Sequence, residues 1–250
     1  MAEKDTRFST EGLVIKEMNV GESDRLVTLF TRDYGILKAF APGAKSIKSK
    51  KGAATSLLTY SNITLVKKKE SFRITEATQI ALFFSLGSDI ETLALSQYFC
   101  ELAYKFGETG NPNTEMLRLF LNSLHFLNKE KQYGPLIKAI TELRLCVLSG
   151  YSPNLVACDE CGAFEDEIMY FCFENGSLCC SKCTPKPDSV QIDLSLLSAM
   201  RHIVYSEFSK LYSFRLGESS ADRLSEITSR YIMVQSDQHF PTLDFYNGIG

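Results

Sequence analysis

The chain has 250 residues, of which 44% are hydrophobic and 23% are charged, and its formal net charge is −3. No apolar run reaches the roughly 18 residues of a membrane-spanning helix, and the polar start MAEKDTRFST shows no signal-peptide pattern. We therefore expect neither a membrane nor a secreted protein, but a cytoplasmic one with one to three domains and reduced cysteines.

Residues 1–80 have the pattern of a small β-barrel. Segments of strand-like composition follow one another, with turn signals at residues 20–23, 33–35 and 42–43. The predicted strands lie within residues 12–20, 24–35, 36–42, 56–69 and 71–82. So many short strands in a short stretch predict a small barrel. If the barrel is of the OB type, one face and its loops bind single strands through a basic groove and stacking aromatic rings.

The same segment is basic although the whole chain is acidic. Residues 1–80 hold 14 Lys and Arg against 9 Asp and Glu, a net of +5, and the rest of the chain carries −8. Each phosphate that a cation neutralises releases condensed counterions, whatever the base sequence, so we predict a phosphate-binding surface here. Its candidate residues are Arg25, Lys45, Lys48, Lys50, Lys51, Lys67, Lys68 and Arg73. A solvated charged face without a ligand is the open alternative.

Two details refine this prediction. The stretch GAKSIKSKKG, residues 43–52, is predicted to be a flexible basic loop that carries four of these lysines. Tyr60 and Phe72 are candidates for stacking on bases, although either ring could equally belong to the barrel core.

From about residue 81 the hydrophobic period changes to that of helices. Apolar stripes predict helices over residues 90–106, 117–127 and 136–147, and Gly150 with Pro153 ends the third. A C-terminal helical bundle follows from this pattern.

Two further helices are predicted after the cysteine-rich segment. Asp193 is the predicted N-cap of one, which has an apolar stripe that extends to Phe208, and Ser220 is the predicted N-cap of the other. The cysteine-rich segment is therefore predicted to be inserted between helices of one bundle.

Six of the eight cysteines lie between residues 158 and 183. Cys158 and Cys161 form one pair with two-residue spacing, and Cys180 and Cys183 form another, which gives C-x2-C-x18-C-x2-C. Two such tight turns supply the tetrahedral thiolate set that zinc prefers, so we predict one zinc ion in a ribbon. Disulfides and reduced thiols without a metal are the alternatives, and an intracellular location disfavours disulfides.

The predicted zinc is structural. Four thiolates leave no open position for water, and His125, His202 and His239 are isolated in the sequence. The segment from Cys158 to Thr184 holds six acids against one base, so it would repel phosphates. Cys100, Cys146 and Cys172 are predicted to be buried thiols without a metal.

Catalytic motifs are not visible. The sequence has no Walker A, GxGxxG or GxSxG pattern, and Asp24 and Asp33 do not form the constellation of a magnesium-dependent nuclease. We therefore expect a protein without enzymatic activity. A second class stays open, namely an OB-plus-ribbon module that binds RNA or only a protein partner.

Several motifs together resemble the RecO family of bacterial recombination mediators, and the resemblance spans essentially the whole chain. These motifs are TEGLVIK (10–16), GESDRLVTLFTRDYG (21–35), PGAKSIKS (42–49), LSGYSPNLVACDECG (148–162) and FPTLDF (240–245). The resemblance implies an OB-fold domain and a helical domain with a zinc ribbon. It also implies binding to single- and double-stranded DNA, strand annealing, work with RecR, and contact with the single-stranded-DNA-binding protein so that RecA can load.

The resemblance suggests the domain ranges and leaves one ligand open. The predicted ranges are 1–80 for the OB fold, 81–157 and 184–250 for the two parts of the helical domain, and 158–183 for the zinc ribbon. In the family pattern the second cysteine pair closely follows a tight turn, which would place Cys179 rather than Cys180 at the metal. The second residue of that pair would then be Lys182, which is not a cysteine. Spacing favours Cys180, so both readings stay open.

Overall fold

The structure is a computed structural model, and it describes residues 6–46, 49–68, 71–83, 89–128 and 133–249. The chain divides into two compact units, one made of residues 1–131 and 240–250 and the other of residues 132–239. Both units mix helices with a β-sheet, which confirms the predicted mixed class. None of the described helices is long and apolar enough to cross a lipid bilayer.

The first unit contains a closed five-stranded barrel in the order β1-β2-β3-β5-β4. Its strands are β1 Thr6–Val20, β2 Asp24–Thr31, β3 Gly35–Ala41, β4 Thr59–Lys68 and β5 Ser71–Leu82. All neighbours are antiparallel except β3 and β5, which run parallel with Ala39 beside Phe72 and Phe40 beside Arg73. The interior is filled by small and branched side chains that alternate along the strands, among them Val14, Leu29, Leu37, Ile63, Leu65 and Ile74.

In the described residues of the first unit, four helices accompany the barrel. They are α1 Lys50–Ala54, α2 Ile90–Phe106, α3 Thr114–Asn128 and α7 Pro241–Asn247. Helix α2 begins after Asp89, whose carboxylate accepts a hydrogen bond from the Thr92 amide, and it packs against α3 and α7. The Thr242 amide donates to the Glu101 carboxylate over 3.0 Å, which ties the start of α7 to α2.

The second unit holds a three-stranded antiparallel sheet in the order β7-β6-β8 and three helices. Their bounds are α4 Gly134–Leu148, β6 Ile168–Cys172, β7 Leu178–Cys180, β8 Ser189–Asp193, α5 Leu194–Tyr205 and α6 Glu218–Ser236. Helix α4 packs against α6, and α5 packs against β6 and β8. The Asn175-Gly176 turn links β6 to β7, with Gly176 in the left-handed region at φ 64° and the Asn175 side chain accepting from the Ser177 amide.

Several details differ from the sequence predictions. Part of the predicted basic loop is helix α1, because residues 50–54 close backbone hydrogen bonds of their own. The N-cap of α6 is Gly217, so Ser220 lies inside the first turn, and α5 ends at Tyr205, which leaves Phe208 outside it. The helices are also divided between the two units. The four domain ranges remain a prediction.

An ion pair lies completely buried between α4 and α6. Lys138 Nζ is 3.2 Å from Glu142 Oε1, and their side chains are 2% and 0% exposed. Lys138 also donates to the hydroxyl and carbonyl of Ser225, and Thr228 donates to Glu142 over 2.6 Å. Burial lowers the pKa of Lys138, and the charge of Glu142 opposes this shift.

We expect Lys138→Met to destabilise the protein by about 3–5 kcal/mol, because it leaves the Glu142 carboxylate buried without its cation. The double variant Lys138→Met/Glu142→Leu should recover most of this loss, since no charge then remains in the core. Urea unfolding of the three proteins measures both effects. Equal losses in the single and double variants would show that packing volume, not charge pairing, dominates at this position.

Candidate functional site

The four cysteines of the two predicted pairs come together in the second unit. The sulfurs of Cys158, Cys161, Cys180 and Cys183 all lie within 4.8 Å of one another, and those of Cys161 and Cys180 are 3.6 Å apart. A tetrahedral zinc with Zn–S distances of about 2.3 Å holds its sulfurs about 3.8 Å apart. In the described part of the chain, this is the one group of three or more Cys, His, Asp or Glu side chains close enough to share a metal ion.

Local turns place these sulfurs. In the first pair, the Gly162 amide donates to the Cys158 carbonyl over 2.9 Å, with Gly162 at φ 74°, a conformation that favours glycine. In the second, the Cys183 amide donates to the Cys180 carbonyl over 3.2 Å. The Cys180 amide also points at the Cys158 sulfur, 3.3 Å away, so the two turns face each other.

The adjacent residues Cys179 and Cys180 have different positions. Successive side chains of a strand point to opposite faces, and it is the Cys180 sulfur that lies in the cluster. The Cys179 thiol is buried and donates to the backbone carbonyl of Cys180 over 3.5 Å. The geometry therefore supports Cys180 as the third ligand of any metal held here.

The thiols of the cluster differ in acidity. Burial opposes ionisation of Cys158, yet hydrogen bonds from backbone amides, that of Cys161 first, lower the pKa of its thiol to about 6. Hydrogen bonds shared with Cys161 and Cys180 raise the pKa of the Cys183 thiol. Because a metal binds thiolates, its binding must release protons from this cluster, and affinity must fall as the pH falls.

The donor set fits a structural zinc ion. Four sulfurs within tetrahedral reach would close the coordination shell and leave no position for a reacting water. All eight cysteines are free, so no disulfide competes for them. Cys100, Cys146 and Cys172 are buried, and burial raises the pKa of Cys100 to about 12.

Arg201 of α5 holds the segment around the first cysteine pair. Its guanidinium donates to the carbonyls of Leu155, Val156 and Phe164 over 2.7, 2.9 and 2.5 Å. It also pairs with Glu165 at 3.0 Å and lies 3.9 Å from the centroid of the Phe164 ring. One side chain thus fixes the chain on both sides of Cys158 and Cys161. The sequence gives no local signal for this role, since Arg201 lies far from the pair along the chain.

We expect Arg201→Lys to destabilise the second unit by about 2–4 kcal/mol, because an ammonium group cannot reproduce the planar fork that satisfies three carbonyls. Thermal unfolding with a zinc-release indicator checks this, and metal loss should begin at a lower temperature than in the unmodified protein. Arg223→Lys is the matched control, since Arg223 pairs only with exposed Glu226 in the contacts that the structure shows. If the two variants unfold identically, Arg201 does not stabilise the segment around the first cysteine pair.

The predicted phosphate-binding residues gather partly at one end of the barrel. Lys45 lies beside the β1–β2 turn, where its Nζ is 3.4 Å from the Gly21 carbonyl. The Gly43 amide and the Ser23 hydroxyl lower the pKa of Asp24, and the positive charges of Arg73 and Lys51 act in the same direction. Lys45 thus lies at this turn, and the charges of Lys51 and Arg73 act on Asp24, which follows it.

Other predicted residues lie elsewhere or have other contacts. Lys67 and Lys68 are exposed at the end of β4, next to the start of β5. Arg25 is largely buried, donates to the Gly52 carbonyl over 3.1 Å and pairs with Glu17, so its guanidinium holds α1 against the barrel. Lys48 lies outside the described residues, and Lys50 is described only as the first residue of α1.

The two predicted stacking residues are both partly buried. The Tyr60 hydroxyl donates to Glu11 over 2.7 Å, and burial together with this hydrogen bond raises its pKa. The Phe72 ring packs edge-on against Phe8, next to the barrel core.

Three exposed side chains that the sequence reasoning did not select lie on the outer surface near these cations. Lys38 and Phe40 point outward from β3, and Tyr104 of α2 is 44% exposed with its ring centroid 5.9 Å from Lys38 Nζ. The alternation of β3 could have identified Lys38 and Phe40 as outward neighbours. Nothing in the sequence could have placed Tyr104 beside them, because this contact joins the barrel to a distant helix.

Comparisons with known proteins agree with this architecture. Family models described as the N-terminal and C-terminal parts of recombination protein O match residues 4–83 and 87–244. The DNA repair protein RecO of Acetivibrio thermocellus is 34% identical over 239 residues, 95% of each chain. That of Caldicellulosiruptor bescii is 29% identical over 242 residues, 97% of this chain and 98% of the relative. The chain therefore belongs to the RecO family of DNA repair proteins.

Proposed function

We propose that this protein is a recombination mediator that binds single- and double-stranded DNA and anneals complementary strands without a nucleotide. The observation that carries the proposal is the match of both halves of the chain to the RecO family. On this proposal it works at the nucleoid with RecR, contacts the single-stranded-DNA-binding protein, and so helps RecA to load onto covered single strands.

The barrel supports the DNA-binding part of the proposal. Five strands in the order β1-β2-β3-β5-β4 suit an OB fold, in which one face and its adjoining loops bind oligonucleotides. Lys45 lies at one turn of this barrel, and the charges of Lys51 and Arg73 act on Asp24, which follows this turn. Lys67 and Lys68 are exposed on the barrel. Lys48 and Lys50 belong to the proposed surface by sequence alone.

The chemistry of annealing fits such a surface. Two approaching strands repel each other through their phosphates, so a protein that joins them must supply mobile cations and yet leave the bases free to pair. Long lysine side chains on an exposed turn do this better than a deep pocket that grips each base. The rest of the chain is acidic, at −8, and this charge would keep DNA off its surface and leave room for protein partners.

The cysteine cluster has a structural part in the proposal. One zinc ion bound by Cys158, Cys161, Cys180 and Cys183 would stabilise the fold of the second unit and supply no reactive water. We propose no catalytic residue.

Salt-dependent binding tests the proposal against its alternative. Fluorescence anisotropy with labelled single-stranded DNA, duplex DNA and single-stranded RNA of one length should show binding to both DNA forms, weakening steeply as salt rises. Binding to RNA alone, or to none of the three at low salt, would favour the RNA-binding or protein-docking module instead.

A further inference from the structure

A concavity of about 380 Å³ lies on the first unit, between β3, the start of β5 and the end of helix α2. Tyr104, Lys38 and Phe72 line it together with the backbone around Gly107 and Thr109. Its volume is at the lower end of the range of small-molecule sites. A single planar group therefore suits it better than a length of peptide.

The lining combines an exposed aromatic ring with a cation. Tyr104 is 44% exposed, a large fraction for a ring of this size, and Lys38 Nζ is 5.9 Å from its centroid. Tyr104 also lines a second cavity of about 550 Å³, whose charged lining residues are Lys16, Lys105, Glu17 and Glu101, so open space borders the ring in more than one direction. Rings in such surroundings are the platforms on which proteins stack bases of single strands.

Further exposed side chains lie on β3 and β5 next to the concavity. Lys38 and Phe40 are two residues apart on the outer face of β3, which is about 7 Å along a strand. Arg73 pairs with Phe40 across the β3–β5 ladder, and its positive charge helps to lower the pKa of Asp24. Cations and exposed rings thus alternate from the Asp24 turn to Tyr104.

The nearest acids already have partners. Glu101 accepts hydrogen bonds from the Thr242 amide and hydroxyl and pairs with Lys105. Glu108 accepts from the Asn111 side chain over 2.9 Å. Among the described residues that line the concavity, the charged one is Lys38, which suits a ligand that carries a phosphate beside a flat ring.

From this arrangement we infer that the concavity beside Tyr104 binds one base of a single strand, stacked on the Tyr104 ring, with Lys38 and Arg73 holding the adjoining phosphates. This inference rests on the proposed DNA-binding function and adds to it the path of the strand across β3 and a base contact from outside the barrel. Stacking does not depend on which base is present, since every base has an aromatic face.

An abasic comparison tests the inference. The full chain, Tyr104→Ala and Tyr104→Phe are titrated with an oligothymidylate and with a backbone of equal length that lacks bases. Tyr104→Ala should weaken binding to the oligothymidylate by roughly 5- to 100-fold and leave binding to the abasic backbone and the salt slope unchanged. Tyr104→Phe keeps the ring and should bind like the unmodified chain. Phe245→Ala, which removes a 52% exposed ring of the same unit outside the concavity, should change neither affinity.

The possible results distinguish failure of the stacking site from failure of the proposed DNA binding. If the unmodified chain binds neither ligand, the proposed function fails and the inference with it. If it binds both and Tyr104→Ala binds the oligothymidylate equally well, or loses affinity equally for both ligands, DNA binding stands and the stacking site is overturned. Lys38→Gln supplies an independent check, because it should weaken both ligands and lower the salt slope by about 0.7.

Discussion

Cys158→Ser should abolish zinc retention and unfold the second unit. The Cys158 sulfur is one of the four in the cluster and lies 3.3 Å from the Cys180 amide, and hydrogen bonds from backbone amides lower the pKa of its thiol to about 6, which favours the thiolate that a metal binds. Binding of a structural zinc contributes on the order of 10 kcal/mol to folding, which is comparable to the whole stability of a typical domain. The variant should therefore be insoluble, or it should melt far below the unmodified chain.

Cys179→Ser is the matched control for this result. It changes the neighbouring thiol, which lies outside the cluster, and should keep one zinc per chain. Metal analysis of protein purified without chelator measures both variants, together with thermal melting. Full zinc content in Cys158→Ser, or loss of zinc in Cys179→Ser alone, would contradict the ligand set.

Neutralising Lys45, Lys51 and Arg73 together should weaken binding to every DNA sequence alike. Lys45 lies at one turn of the barrel, and the charges of Lys51 and Arg73 act on Asp24, which follows this turn. We expect each of the three cations to neutralise a phosphate of a bound strand and release its counterions. We expect the slope of log affinity against log salt to decrease by about 2 to 3 units, at roughly 0.7 to 0.9 for each lost contact. Anisotropy titrations over a range of salt concentrations give this slope directly.

A control with the same change in charge is available in the second unit. The acidic part of the chain includes Lys182, Lys210 and Arg223. Changing these three residues to glutamine should have little effect on DNA affinity or on the salt slope. Equal losses from both triple variants would mean that total charge, and not the barrel surface, governs affinity. An unchanged salt slope in the barrel variant would show that Lys45, Lys51 and Arg73 are solvated and do not contact phosphates.

The barrel and the cysteine cluster could be predicted because their signals are local. Alternating apolar residues between turn signals mark each strand, and pairs such as Cys158 and Cys161 encode a metal-binding turn in four consecutive residues. Asp193 was also predicted as a helix cap, and its carboxylate accepts from the Leu196 amide. In these cases each signal lies within a few consecutive residues, even where the fold joins distant ones, as it does the two cysteine pairs.

Contacts between distant segments could not be predicted. Arg25 has a side chain suited to binding phosphate, but in the fold its guanidinium donates to α1 and pairs with Glu17. Arg201 reaches carbonyls more than thirty residues away, and Tyr104 meets Lys38 only because α2 lies beside the barrel. Ser220 has the chemistry of an N-cap, yet α6 begins a turn earlier, after Gly217. Which cation faces solvent depends on tertiary packing, and composition does not determine it.

The rate at which dilute complementary strands form a duplex tests the central claim most directly. It is measured by the quenching of paired fluorophores, with and without the full chain, in the absence of nucleotide and at several salt concentrations. The account predicts a faster rate at low salt that fades as salt rises, and a smaller acceleration by the Lys45, Lys51 and Arg73 variant. Tight binding with no acceleration at any salt concentration would contradict it and leave a DNA-binding protein that does not anneal strands.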